Sequence, residues 1–188
     1  GAGRGHDHLV YVNGGASGIG GGVIIAGTPL GGIAGYAGEL GHVRVSGSSV
    51  VDSAGIAGTL EAEVTRAELL DALGLPRADA AAFETALLAD CSDRVAAIVE
   101  RQLGHLGSAL AAAINLFNPA VIALGGFLAA LQAYDPAGLE RVVAAAALPP
   151  SLEGVRITPA ELGPDLLMIG AAALAFEPLL TDPASLSR

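Results

Sequence analysis

Residues Leu9 to His42 read LVYVNGGASGIGGGVIIAGTPLGGIAGYAGELGH. A β-type apolar run, Leu9 to Val12, leads into the glycine-dominated stretch Gly14 to Gly22, and a second apolar run resumes at Val23 to Ala26. Two such runs around a glycine-rich turn predict an antiparallel hairpin. Thr28-Pro29 and Gly31-Gly32 mark a further turn, and Val43 to Val45 predicts a third strand after the segment Gly35 to His42.

Downstream of Glu61 the periodicity becomes helical. Leu69, Leu70 and Leu73 share one face until Gly74 and Pro76 stop it, and Ala80 to Leu88 gives a second helix. Asp93 to Phe117 carries Val95, Ile98, Val99, Leu103, Leu106, Leu110 and Ile114 at three- and four-residue spacing, the pattern of a long buried helix. Asn118-Pro119 ends it, because proline lacks the amide that would continue the ladder. Val121 to Leu124 then predicts a strand closed by Gly125-Gly126, followed by a helix, a strand at Val155 to Pro159 and a last helix at Leu166 to Leu179. Strands at the start and interleaved helices and strands afterwards give an α/β class.

The whole fits one domain: 188 residues suffice for a real core. A formal charge of -10, with nine Arg, no Lys and no basic run, argues against this segment gripping a nucleic-acid backbone. Hydrophobic content is 52%, yet Gly, Asp, Glu and Arg interrupt it before any stretch reaches spanning length, so no membrane partner is expected. Gly1 to His8 lacks the basic start and apolar segment of a signal peptide. One cysteine, Cys91, excludes an internal disulfide and leaves too little sulfur for a structural zinc site; the expected compartment is the cytoplasm.

Two groups carry candidate chemistry. Six glycines between Gly14 and Gly22 let the backbone bring several amides to one place, which suits an anion, with a plain tight hairpin as the alternative. The loop is neither GxxxxGK[ST] nor a dinucleotide fingerprint, since a strand rather than a helix follows. The second group is GYAGELGH, Gly35 to His42, where Glu39 could accept from hydroxyls and His42 could donate or accept, with a merely solvated pair as the alternative. His105, inside the long helix, reads as a packed histidine, and Cys91 as structural.

The run YVNGGASGIGGGVIIAGTPLGGIAGYAGELGHVRV resembles the pattern of the ROK (repressor and sugar kinase) family: a strand, a GIGxG turn, a strand, then AGExGH. NLFNPAVIALGG, Asn115 to Gly126, is similar to its NxxNPxxIxxGG segment, and Ile157 to Ala173 to its closing strand and GAA helix. The resemblance implies an actin-like ATPase (ribonuclease H-like) fold, of which residues 1–188 would be the C-terminal lobe, a mixed sheet flanked by helices. It further implies that Glu39, His42 and Glu61 contact sugar hydroxyls. Gly18 and Gly20 would lie by nucleotide phosphates, and Gly125 and Gly126 beside base or ribose.

Where the family continues with CxCGxxGCxE, aligning Gly55, Gly58 and Glu61 puts Asp52, Ala54 and Thr59 at the three cysteine positions that join the histidine around zinc. No zinc cofactor is therefore expected, and His42 with the Ser46 to Gly58 loop should be less restrained. The Asp that deprotonates the sugar and the N-terminal phosphate loop of ROK kinases precede this segment, so no catalytic residue is assigned and Gly1 falls where the second half of the fold begins. Two functions follow from the resemblance. One is the sugar- or sugar-phosphate-sensing part of a transcriptional regulator, homodimeric or larger, touching DNA only through a preceding helix-turn-helix. The other is the C-terminal half of an ATP-dependent sugar kinase, the one reading in which ATP is a cofactor.

Overall fold

The computed structural model describes residues 5–161 together with 168–170, 172, 175 and 176. Strands β1 (Leu9–Gly14), β2 (Ile19–Ile25) and β3 (Thr28–Pro29) open the chain, followed by a 3-10 turn at Leu40–His42. Helices α1 (Leu60–Glu63), α2 (Arg66–Ala72), α3 (Ala80–Ala89) and α4 (Asp93–Phe117) come next. Strand β4 (Val121–Gly126), helices α5 (Phe127–Tyr134), α6 (Pro136–Ala146) and α7 (Pro149–Leu152), and β5 (Arg156–Pro159) complete the series. The five strands form one mixed sheet in the order β3-β2-β1-β4-β5, antiparallel on the β1–β2–β3 side and parallel across β1–β4–β5.

Residue chemistry accounts for these positions. In β1, Val10 and Val12 are wholly buried while their neighbours are only half-buried, the alternation of a sheet covered unequally on its faces. β4 is buried from Val121 to Gly125, as a strand with parallel neighbours on both sides requires. α4 spans 25 residues. The Ser92 hydroxyl caps its start by accepting from the Val95 amide at 3.3 Å, and Asn118 ends it in the left-handed region (φ 42°), its amide donating to the Ile114 carbonyl. Leu103, Leu106, Leu110 and Ile114 are buried along its inner face, each worth on the order of 2 kcal/mol of transfer free energy.

Two expectations need correcting. Most of the glycine stretch is strand rather than loop: Gly20, Gly21 and Gly22 pair with Asn13, Val12 and Tyr11. Pairing with an already anchored β1 overrides glycine's poor strand preference, and Gly21 lies so close to the Gly38 and Tyr11 carbonyl oxygens (3.0 Å from an added Cβ) that a side chain would crowd them. The third strand is Thr28–Pro29, not Val43 to Val45. There the chain makes an isolated bridge, Arg44 to Thr59, with the Leu60 amide donating to the Val43 carbonyl and the Val45 amide to the Gly58 carbonyl, too short a pairing for a strand. The expected last helix falls largely outside the described residues; those described within it are helical.

α4 packs against α6 at Gly107, where an added Cβ would meet Val142 Cγ1 at 2.5 Å, whereas nothing lies within 4 Å of one added at Gly104. Gly107→Ala should therefore destabilise by about 1–3 kcal/mol through overpacking. Gly104→Ala should stabilise by up to about 1 kcal/mol through helix propensity. Urea unfolding of the two variants reads the opposite signs.

Candidate functional site

The hairpin turn closes through the Gly15 amide, which donates to the Gly18 carbonyl at 2.8 Å. Gly18 has φ +144°, and an added Cβ would lie 2.1 Å from Glu61 Oε2. That oxygen accepts from the Ile19 amide at 2.9 Å, and Oε1 accepts from the Ser53 amide at 3.0 Å and from the Ser53 hydroxyl. Glu61 stands there because Thr59 caps α1, accepting from the Ala62 amide at 3.3 Å. Burial would raise the Glu61 carboxyl; these donors and the nearby His42 ring hold it below its ordinary value.

GYAGELGH wraps against the same hairpin. Gly38 takes φ +86°, and Gly41 packs so tightly on Ile19 that an added Cβ would sit 1.9 Å from its carbonyl oxygen. Leu40 buries between these glycines and leaves Glu39 exposed, its carboxylate without a partner among the described residues. His42 is half-buried, and its Nδ1 lies 2.8 Å from Asp52 Oδ2. The Asp52 bond raises the His42 pKa against the opposing effect of burial, and the charges of Asp52, Glu61 and Glu39 add to the rise. Glu39, His42 and Glu61 thus share one electrostatic neighbourhood, with the Gly18 turn at its edge.

His42 and the following loop, expected to be less restrained without zinc, are instead tied by hydrogen bonds to Asp52. Asp52 is a buried hub: Oδ1 accepts from the Ala54 and Ile56 amides, each at 2.9 Å, and Oδ2 takes the Thr59 hydroxyl at 2.8 Å besides the imidazole. Burial pushes this carboxyl up, but His42, the two amides and Thr59 outweigh it and hold it well below the usual carboxylate range. The loop is strapped as well, by bonds from the Val45 and Ser46 amides to the Gly58 carbonyl, the bridge Val51 to Ala57, and the Ser46 and Ser48 hydroxyls on Glu63. As a zinc site this donor set fits poorly: Ala54 has no ligating side chain, Thr59 offers a neutral hydroxyl that donates to Asp52, and both Asp52 oxygens are engaged. Among the described residues no three His, Cys, Asp or Glu side chains gather closely enough to hold a metal ion.

Gly125 and Gly126 lie elsewhere, at the carboxyl end of β4 beside Asn13 and Gly14 of β1. A cleft of about 460 Å³ opens there, lined by Asn13, Gly14, Gly125, Gly126, Arg66 and Phe83 among others. Side chains are excluded from its floor: an added Cβ at Gly125 would meet the Tyr11 hydroxyl at 2.5 Å, and one at Gly126 (φ +60°) the Gly14 carbonyl at 2.0 Å. Arg66 lies over the Phe83 ring, 5.0 Å from its centroid, and donates to the Ala78 and Asp79 carbonyls at 2.8 Å. Gly20 separates from Gly18: it faces Asn13 within the sheet, while Gly15 and Ala16 of the turn reach the cleft. Sequence reasoning gave no role to Asn13, although it lies inside the quoted run, and did not find Arg66 or Phe83, which are distant in sequence and carry no motif. It read Asp52 as a failed metal ligand when a short-range signal, an Asp two and four residues ahead of free amides, marks a local hydrogen-bonded turn.

The His42–Asp52 pair gives stability a defined pH dependence. The raised imidazole contributes fully below about pH 6.5 and loses that contribution as pH rises through its folded value. The depressed carboxyl contributes fully above about pH 3.9 and loses it as pH falls through its own. The melting-temperature gap between the natural protein and His42→Gln should therefore be widest near about pH 5–6 and narrow by about pH 9. Thermal denaturation across that range measures it.

The ROK family model matches residues 1–177. The chain is 36% identical over 144 residues to the glucokinase of Thermotoga maritima, covering 67% of this chain and 44% of that protein. Among solved structures, the ROK hexokinase from Thermus thermophilus is 28% identical, with TM-score 0.66 over 88% of this chain and 57% of its own. A ROK family glucokinase from Streptomyces griseus, solved with glucose and AMPPNP, is 23% identical, with TM-score 0.74 over 93% of this chain and 62% of its own. A ROK family transcriptional regulator, a homolog of the E. coli MLC protein, is 24% identical, with TM-score 0.67 over 81% and 41%. The chain thus spans about half the length of the relatives it matches, and shares their actin-like ATPase fold. With the family model matching nearly throughout, the chain belongs to the ROK family.

Proposed function

We propose that this chain is the sugar-sensing, C-terminal part of a ROK transcriptional regulator, with Glu39, His42 and Glu61 receiving the hydroxyls of a hexose or hexose phosphate. The supporting observation is their convergence. Glu39 offers a free carboxylate, His42 a free Nε2, and Glu61 one remaining acceptor position on Oε2. A cluster of acceptors held by a braced backbone suits a polyol, whose hydroxyls all donate. The glucokinase relative supports a sugar of the hexose class. In the full-length protein, sugar binding between lobes would shift a dimer between two states that present DNA-reading segments differently, provided the sugar binds the states unequally.

The cleft beside Gly125 and Gly126 favours a second reading, the C-terminal half of an ATP-dependent sugar kinase, since its glycine floor admits a flat nucleotide base or ribose. ATP would then be a cofactor. Sugar-dependent ATP turnover by the full-length protein would replace the regulator reading with this one. Sugar-dependent release from DNA without turnover supports the regulator.

Thermal unfolding of the full-length protein across a panel of hexoses and N-acetylhexosamines tests the sugar site itself. At a hundred times its Kd one sugar should stabilise by about 2.7 kcal/mol, a rise of several degrees, and Glu39→Ala should abolish the rise at that concentration. Absence of a shift with every sugar refutes the proposed site.

A further inference from the structure

Asp52 occupies a position where zinc ROK proteins have a cysteine, yet it does more than fill it. Its two oxygens divide their work: Oδ1 takes the Ala54 and Ile56 amides, which can only donate, and Oδ2 takes the Thr59 hydroxyl and faces His42 Nδ1 at 2.8 Å. A carboxylate with all four contacts can only accept, so the imidazole must carry its proton on Nδ1. In the neutral ring that leaves Nε2 bare and accepting. Nε2 has no partner among the described residues, the ring is partly exposed, and the charges of Glu39 and Glu61 both act on it.

We infer that Asp52 is a positioning residue which takes over the bracing done by metal in other family members and fixes His42 Nε2 as an acceptor for a sugar hydroxyl. The inference rests on the sugar-binding reading above. Thr59 and the two amides keep the carboxylate from rotating, so ring plane and tautomer are set by one side chain. Among the described residues the charged groups that act on the ring are Asp52, Glu61 and Glu39, all acidic, with no cation among them to compete for Nε2.

Asp52→Asn is the informative substitution. The Ala54 and Ile56 amides require an oxygen, so the new amide must turn its nitrogen toward His42 and Thr59. Nδ1 then accepts, the ring proton moves to Nε2, and the ligand-facing nitrogen becomes a donor. Long-range proton–nitrogen spectra of the histidine-labelled full-length protein, at a pH where the ring is neutral, should show His42 protonated on Nδ1 in the natural protein and on Nε2 in Asp52→Asn. Sugar affinity by calorimetry, using the sugar that stabilises the natural protein, should fall about 10-fold or more in Asp52→Asn, as loss of a ring's orienting partner does elsewhere. Asp52→Ala should show a mixed tautomer and a similar loss, and circular dichroism at the working temperature confirms that each variant is folded. Chelation of the natural protein should leave affinity and spectra unchanged.

An Nε2-protonated ring in the natural protein overturns the inference, as does unchanged affinity in both variants, or loss of binding on chelation with zinc recovered in stoichiometric amount. Unfolding of Asp52→Asn leaves the natural protein's tautomer and chelator response to decide. Failure of every sugar to bind, with Nδ1 protonation intact, instead defeats the sugar reading and removes the brace's proposed purpose.

Discussion

The backbone of Ile19 joins the pieces of the sugar corner. Its amide donates to Glu61 at 2.9 Å, and its carbonyl lies where a Cβ on Gly41 would stand at 1.9 Å. Its side chain is buried in the core, so the strand cannot slide without breaking both contacts and exposing an apolar group. Glu61 arrives from a capped helix and His42 from a 3-10 turn, yet both register against this one residue of β2. The pairing of Gly14 with both Ile19 and Gly126 then carries the same register across β1 to the cleft. The two places are separate in space but positioned by one strand.

Around that frame, charge is arranged asymmetrically. Asp52 bonds the His42 ring while Glu61 and Glu39 act on it through their charge, and each carboxylate has a different degree of satisfaction: Asp52 saturated, Glu61 nearly so, Glu39 open to solvent. Saturated groups hold shape; the unsatisfied one is available to a ligand. A hydroxyl-rich molecule meets a surface whose acceptors are already oriented, so it need not organise the site on arrival.

Much of this was legible in the sequence. The hairpin, the long helix with its Asn118-Pro119 stop and the strand ending in Gly125-Gly126 follow from periodicity and from what proline and glycine forbid. Glu39, His42 and Glu61 stand out in the motif, and in the structure the two glutamates act electrostatically on the histidine. What the sequence hid depends on distance. Glycines 20 to 22 look like loop until β1 is present to pair with them, and Val43 to Val45 looks like strand until no partner runs beside it. Arg66 and Phe83 carry no pattern that links them to Asn13. Asp52 reads as a deficient ligand because a cysteine pattern frames the question, whereas the nearby amides of Ala54 and Ile56 determine what the carboxylate does.

The four donors on Asp52 all belong to the same chain and lie within 10 residues of it in sequence. Closing such a corner is therefore a first-order event with little loop entropy to overcome. The corner is assembled from the chain's own groups as it folds, with no second species to be captured.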